Sequence, residues 1–406
     1  MATEELSESA RKRGLAVMLV GTLLIWGGFF MVIPLIAIHY VDDLGWAAGA
    51  VGLVLGVRQL TQQGTTLVCG ALADRFGPRL LIAAGMLLRA ISFIVMGFAD
   101  TYPLLMISAL MAAIGGAFFD SPSSAAMVAL TREHDRARFY SILGVVSGIG
   151  MTVGPLLGAL LLRFNFATVA FVAAGSFFVA FLITLILMPN VRVSSGNQGF
   201  GDGIMMALRD RRFMLFNVLL MGYWFMWVQL TISMPLVARS ITGTADAVSW
   251  VYALNAGLGI ILQYPLLLLA ERWLKPLPIM IIGITIMALA LGLVGLAQST
   301  ISLLACVVIF ALGRMLATPT QQTVAASLAN PAALGSYFGV SALALAIGGG
   351  VGNTTGGMLY GWGVDAGLPW MPWLIYAIIG LASAVGLMFM MRSQQRQIPQ
   401  QAPAEG

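Results

Sequence analysis

The chain has 406 residues, 59% of them hydrophobic and only 9% charged, with 21 Lys and Arg against 16 Asp and Glu. A soluble domain carries about 25% charged residues to face water, so a chain this poor in charge has lipid as its main solvent. Two cysteines in separate apolar runs (Cys69, Cys306) and two distant histidines (His39, His134) exclude a disulfide framework and a metal cluster, and no cofactor is expected.

In chain order, apolar runs long enough to cross the hydrocarbon core, about 20 residues of helix, fall at 15–38, 47–72, 78–98, 103–128, 139–162 and 167–188. A second set follows at 214–238, 247–270, 278–297, 301–328, 336–360 and 371–391. Unpaired amides are not tolerated in lipid, so these runs are predicted to be helices. The alternating ten-residue segments of a β-barrel are absent. Arg11, Lys12 and Arg13 precede the first run as in a signal peptide. That run is too long and lacks a cleavage site, so it reads as a permanent helix. The expected fold is an all-α polytopic membrane protein of twelve transmembrane helices in two pseudo-symmetric six-helix bundles. Its parts are an N-terminal bundle (1–189), a linker (190–213) and a C-terminal bundle (214–406). The linker holds Ser194-Ser195-Gly196-Asn197-Gln198-Gly199, and its basic end, Arg209-Asp210-Arg211-Arg212, is predicted to form a short amphipathic helix at the membrane surface.

With both termini placed inside, sixteen Lys and Arg fall in inner segments, only Arg163 and Arg239 fall in outer ones, and Arg58, Arg89 and Arg314 fall within spans. This bias obeys the positive-inside rule. It predicts cytoplasmic termini, and it accounts for the basic balance with the lipid bilayer as partner and no nucleic acid. Oligomerisation is not indicated.

The chain also repeats itself. Ala73-Asp74-Arg75-Phe76 after the second run matches Ala270-Glu271-Arg272-Trp273 after the eighth, 197 residues on. Gly116 and Gly313, Pro122 and Pro319, and Tyr140 and Tyr337 are separated by the same interval. Parallel six-helix repeats place a binding site near the midplane, between halves that rock against each other.

Gly70-Ala71-Leu72-Ala73-Asp74-Arg75-Phe76-Gly77-Pro78-Arg79 occupies a very short turn. It resembles the loop 2–3 motif of the major facilitator superfamily, with Pro78 where a basic residue is commoner. The resemblance implies a cytoplasmic latch built on Gly70, Asp74, Arg75, Gly77 and Arg79. In the fifth helix, Gly150, Gly154, Pro155 and Gly158 resemble the superfamily's antiporter motif, which implies export; four-residue glycine spacing is equally a face for close helix packing. Further segments include Val57-Arg58-Gln59-Leu60-Thr61-Gln62-Gln63-Gly64, Met86-Leu87-Leu88-Arg89-Ala90, Phe118-Phe119-Asp120-Ser121-Pro122 and Gly335-Ser336-Tyr337-Phe338-Gly339. Together they are similar to the MdtH-type multidrug exporters among the twelve-helix drug–proton antiporters. The chain departs from that antiporter pattern in lacking a helix 4 arginine, where it reads Met111-Ala112-Ala113-Ile114-Gly115, and in carrying Arg314.

A charge inside a span costs about 2.5–3.5 kcal/mol on insertion scales and faces partners or water. Asp120 is the one acid deep in any span, so it is the proton-coupling candidate, with Arg58 and Arg89 as charges that would drive its proton off. A permanent ion pair is the competing reading. Trp26 and Phe30 in helix 1, Tyr223 and Trp227 in helix 7, and Arg314 in helix 10 are substrate-cavity candidates. Gln59/Gln63 and Arg58/Gln62 form adjoining polar rows. The expectation is a proton-coupled secondary transporter that exports small amphipathic compounds by alternating access. The alternative is a carrier for one metabolite, an anion being suited to Arg314. Neither a catalytic cluster nor a nucleotide-binding loop is present, so an enzyme and an ATP-driven pump are not expected.

Overall fold

The computed structural model describes residues 7–191, 200–244, 246–330 and 333–397. Among them every regular element is a helix: α1 (Glu8–Ala37), α2 (Ala48–Phe76), α3 (Pro78–Gly97), α4 (Tyr102–Leu130), α5 (Glu133–Leu162), α6 (Phe166–Leu187), α7 (Phe200–Arg209), α8 (Arg211–Trp227), α9 (Ser233–Thr242), α10 (Asp246–Glu271), α11 (Pro276–Val294), α12 (Thr300–Leu328), α13 (Leu334–Asp365) and α14 (Met371–Gln397). A six-residue π-helix (Ile38–Asp43) extends α1, and a 3₁₀ turn (Val228–Leu230) joins α8 to α9 as one interrupted pass. Ten segments are long and apolar enough to cross a membrane. Two further long helices, α2 and α13, are 29 and 32 residues long and fall outside those ten.

Local chemistry sets the ends. Asn165 caps α6 through Thr168 N, Asp210 caps α8 through Arg212 N and Phe213 N, and Ser299 and Ser302 form a capping box on α12. Proline opens α3 and α11, where its missing donor costs nothing. Gly77, with φ 80° and ψ 145°, makes the one-residue turn between α2 and α3 in a conformation that a side chain resists. The predicted spans agree closely with these helices, but α1 begins earlier, at Glu8. The linker needs a correction. Its amphipathic helix is Phe200–Arg209, ending on the first residue of the basic run, because the Asp210 side chain caps the next helix and so commits Arg211 and Arg212 to the start of α8. The Ser194–Gly199 stretch lies outside the described residues.

The helices pack as two sets. In the first, α1 lies against α5 and α6, and α3 against α4 and α6; in the second, α11 lies against α12 and α14, and α8 against α13. The α3–α4 and α11–α12 crossings are built alike. A Cβ on Gly85 would lie 2.6 Å from the Gly115 carbonyl, and one on Gly283 would lie 2.6 Å from the Gly313 carbonyl. Gly283 and Gly313 stand 198 residues after Gly85 and Gly115. At these crossings the repeat therefore runs one residue longer than the motif interval, and Arg314 takes the place of Gly116 rather than of Ala117.

The sets meet along α2–α13 and α5–α10, toward the end of the molecule where α1 hands over to α2. A Cβ on Gly49 would lie 2.7 Å from Met358 Cγ, and one on Gly56 would lie 2.6 Å from the Gly350 carbonyl. Arg239 of α9 pairs there with Asp43 (2.7 Å) and Asp42 (3.7 Å), and Arg163 with Asp246 (3.8 Å). Behind this seam the interrupted pass is tied to α13. Gln229 Nε2 donates to the Gly352 carbonyl (3.0 Å), and Thr231 Oγ1 to Asn353 Oδ1 (2.8 Å).

Candidate functional site

Between α2, α3 and α4 lies a polar knot in an apolar surround. Gln62 is its hub. Its Nε2 donates to Asp120 Oδ2 (2.8 Å), while its Oε1 accepts from Arg58 Nη1 (3.0 Å) and, at longer range, from Arg89 Nη2 (3.5 Å). Arg58 also reaches Gln59 (3.3 Å), and Arg89 Nε donates to the Ala112 carbonyl (3.2 Å). Both guanidinium carbons sit 5.2 Å from the Phe29 ring centroid, and Arg89 is also 5.6 Å from that of Phe177. Aromatic faces offset part of the cost of burying these cations. Asp120 makes no ion pair with either arginine at salt-bridge distance; the amide of Gln62 stands between them. A carboxylate bridged through a neutral amide keeps both arginines near without being clamped by them.

The equivalent region of the second set is different. Arg314 on α12 donates through Nε to Asn255 Oδ1 (3.2 Å) and through Nη2 to the Asn255 carbonyl (3.4 Å) on α10. One turn along α12, Thr318 shares a hydrogen bond with Tyr223 of α8 (2.8 Å). Counted from the glycine crossings, Met287 stands where Arg89 does and Thr318 where Asp120 does. The 197-residue interval of α2 and α10 puts Asn255 at the place of Arg58 and Gly259 at that of Gln62. A Cβ on Gly116 would run into Arg89 and would lie 2.7 Å from Gln62 Cδ; at its counterpart, the Arg314 side chain reaches Gly259, where a Cβ would lie 3.2 Å from Nη2.

The aromatic candidates divide. Trp26 and Trp227 are half-buried, whereas Phe30 and Tyr223 are buried. Phe30 stacks on Trp26 (5.7 Å) and reaches Tyr252 of the opposite set (5.8 Å), so it belongs to the seam. Trp224 links Tyr223 (4.9 Å) to Trp227 (5.8 Å) in a continuous row.

The antiporter-motif glycines face α1. Cβ atoms on Gly150 and Gly154 would lie 2.9 Å from Gly27 N and 2.6 Å from Gly27 O, and one on Gly158 would run into the Met31 carbonyl. The run therefore lets α5 lie flush against the helix that carries Trp26, Phe29 and Phe30. The Pro155 carbonyl accepts from Ser249 of α10 (2.8 Å), a link between the sets. Of the latch motif, Gly77 makes the turn and Arg79 donates to the Leu185 carbonyl of α6. Gly70, Asp74 and Arg75 lie in α2, with their side chains outside the described residues.

Sequence reading missed Gln62 as the hub, although its four-residue spacing from Arg58 was visible. It also missed Asn255 and Thr318. Asn255 could have been found by carrying Arg58 forward one repeat.

The sequence profile of the Major Facilitator Superfamily matches residues 18–353 and again 221–406. The chain is 40% identical over 382 residues to the multidrug resistance protein MdtH of Yersinia enterocolitica, covering 94% of this chain and 95% of that protein. The MdtH of Yersinia pestis (strain Pestoides F) matches to the same extent. Among solved structures, a bacterial homologue of the human lysosomal transporter Spinster, inward-facing and unoccupied, superposes with a TM-score of 0.82 at 15% identity, over 96% of this chain and 99% of that one. The POT family transporter PepTSo gives a TM-score of 0.82 at 14% identity, over 95% and 99%. With a family profile spanning most of its length and relatives of 40% identity end to end, this multi-pass membrane protein belongs to the major facilitator superfamily.

Proposed function

We propose that the protein is a proton-coupled exporter of small amphipathic compounds, working by alternating access in a bacterial inner membrane with both termini cytoplasmic. Export of drugs rests on the end-to-end likeness to proteins named for multidrug resistance. Proton coupling rests on one observation: a deep carboxylate, Asp120, is joined to two buried arginines only through the Gln62 amide. Burial favours the protonated acid and nearby cations favour the ionised one. A helix shift that changes either distance changes proton occupancy. The six-helix units are residues 1–189 and 214–406, joined by the 190–213 linker. With the termini inside, the seam described above closes the outer side, so this is an inward-open state. Gly70, Asp74, Arg75, Gly77 and Arg79 then form the cytoplasmic latch of the outward-open state. Trp26 and Trp227 present flat walls to the substrate.

The energetics permit this. Each charge moved through 100 mV yields about 2.3 kcal/mol, so a neutral substrate exchanged for a proton draws on both voltage and pH gradient. The test is transport in proteoliposomes under an imposed pH gradient. Uphill movement of a lipophilic dye, abolished by a protonophore and absent in Asp120→Asn, supports the reading. Full gradient-driven transport by Asp120→Asn removes Asp120 as the carrier.

A further inference from the structure

We infer that Arg314 is an anion anchor, and that preferred substrates carry a carboxylate on an aromatic body. This rests on the exporter reading above and names its substrate class. In the first set, the buried cations Arg58 and Arg89 have an internal counter-charge, Asp120, reached through Gln62. In the second set, the place of Asp120 is taken by neutral Thr318, whose hydroxyl is engaged by Tyr223. Arg314 has no acidic partner among the described residues, and its two hydrogen bonds both go to Asn255. A guanidinium offers five N–H donors in a planar fork matched to a carboxylate, so three remain uncommitted. Left without a counter-ion in a membrane interior, such a group is costly; a substrate anion supplies what the fold does not.

Position agrees with this role. Arg314 is half-buried and faces Gly259, where a Cβ would lie 3.2 Å from its Nη2. The next residue, Ile260, meets Gly148 of α5, so the guanidinium lies beside the seam between the sets. Tyr223 shares a hydrogen bond (2.8 Å) with Thr318, one turn along α12 from Arg314, and begins the row through Trp224 to Trp227. A planar aromatic body can lie along that row while its carboxylate meets the fork. Arg58 and Arg89, each already engaged by Gln62 and the Phe29 face, are poorer anchors.

The test uses the full chain in detergent and three matched probes: anthracene carboxylate, its neutral carboxamide and its aminomethyl cation. Binding is read by fluorescence polarization. The carboxylate is expected to bind about tenfold tighter than the amide, in keeping with a charge-assisted hydrogen-bond pair, and the cation weakest. Arg314→Gln should bring the carboxylate to the level of the amide, with circular dichroism showing that the variant is folded. Asn255→Asp, which gives Arg314 a built-in partner, should do the same and decides the matter should Arg314→Gln not fold. Equal binding of carboxylate and amide by the unmodified protein, or a carboxylate preference that survives both substitutions, overturns the anchor. Transport of the same probes in vesicles separates the two readings. Uphill export of the amide with no carboxylate preference sinks the anchor and leaves the exporter standing. An Arg314-dependent preference with no export of any probe does the reverse.

Discussion

The two helix crossings that organise this molecule share a backbone and differ in chemistry. At α3–α4 the glycine pair Gly85/Gly115 brings together Arg89, Gln62 and Asp120; at α11–α12 the pair Gly283/Gly313 brings together Met287, Gly259 and Arg314. In the first, an acid and two cations are interlinked by one amide. In the second, a single cation leans on an asparagine. The lesson is that the repeat conserves the positions at which polar groups can be buried without conserving which charges sit there. Duplicated scaffolds can thus assign proton handling to one copy and substrate contact to the other.

Each side of that comparison can be broken. The largest effect is expected from Asp120→Asn, which leaves the amide hub and both arginines in place but removes the ionisable group. Uphill accumulation in proteoliposomes should fall to that of empty vesicles, with helicity and yield unchanged. Next is Gln62→Leu, which deletes the bridge: a hydrogen bond to a charged group is worth about 1.5–3 kcal/mol, and gradient-driven transport should slow roughly tenfold or more. A rate equal to that of the unmodified protein would show the hub to be incidental.

Smaller effects test the shared backbone. Gly115→Ala and Gly313→Ala each add a methyl where a carbonyl lies 2.7 Å and 2.5 Å away respectively, and overpacking of this kind costs roughly 1–3 kcal/mol. Thermal unfolding in detergent should fall by similar amounts for the two, despite their different charge surroundings. A large disparity would mean that the crossings are not equivalent. Smallest is Arg239→Gln at the closed end. Partly exposed ion pairs contribute about 0–1 kcal/mol, so stability should barely change. Labelling of a cysteine placed at Asp42 should nonetheless rise as the seam opens more often.

Much of this was legible in the sequence. Span positions followed from apolar length, because lipid leaves the backbone no alternative to helix. The repeat followed from Ala73–Phe76 and Ala270–Trp273. Sequence also marked Arg58, Arg89, Asp120 and Arg314 as charges needing explanation. Their partnerships were hidden, since Gln62 and Asp120 are 58 residues apart and only the close approach of α2 to α4 joins them. The one-residue difference in repeat interval was hidden too. It is set by which glycine meets which carbonyl at a crossing, and neighbouring Gly115 and Gly116 look alike in a string of letters. The linker helix was misplaced for a related reason: Asp210 reads as part of a basic run, yet its side chain is spent as a cap.

Asn353 has a consequence for how the two sets can move. Its carbonyl is what a Cβ on Gly52 of α2 would strike, and its side chain accepts the Thr231 hydroxyl beside the interrupted pass. The seam and the break are therefore geared through one residue. Parting α2 from α13 pulls directly on the break between α8 and α9, much as a crank turns a shaft. Across relatives, positions 52, 231 and 353 should accordingly vary in concert, a change at one being tolerated only when the other two keep the gear in mesh.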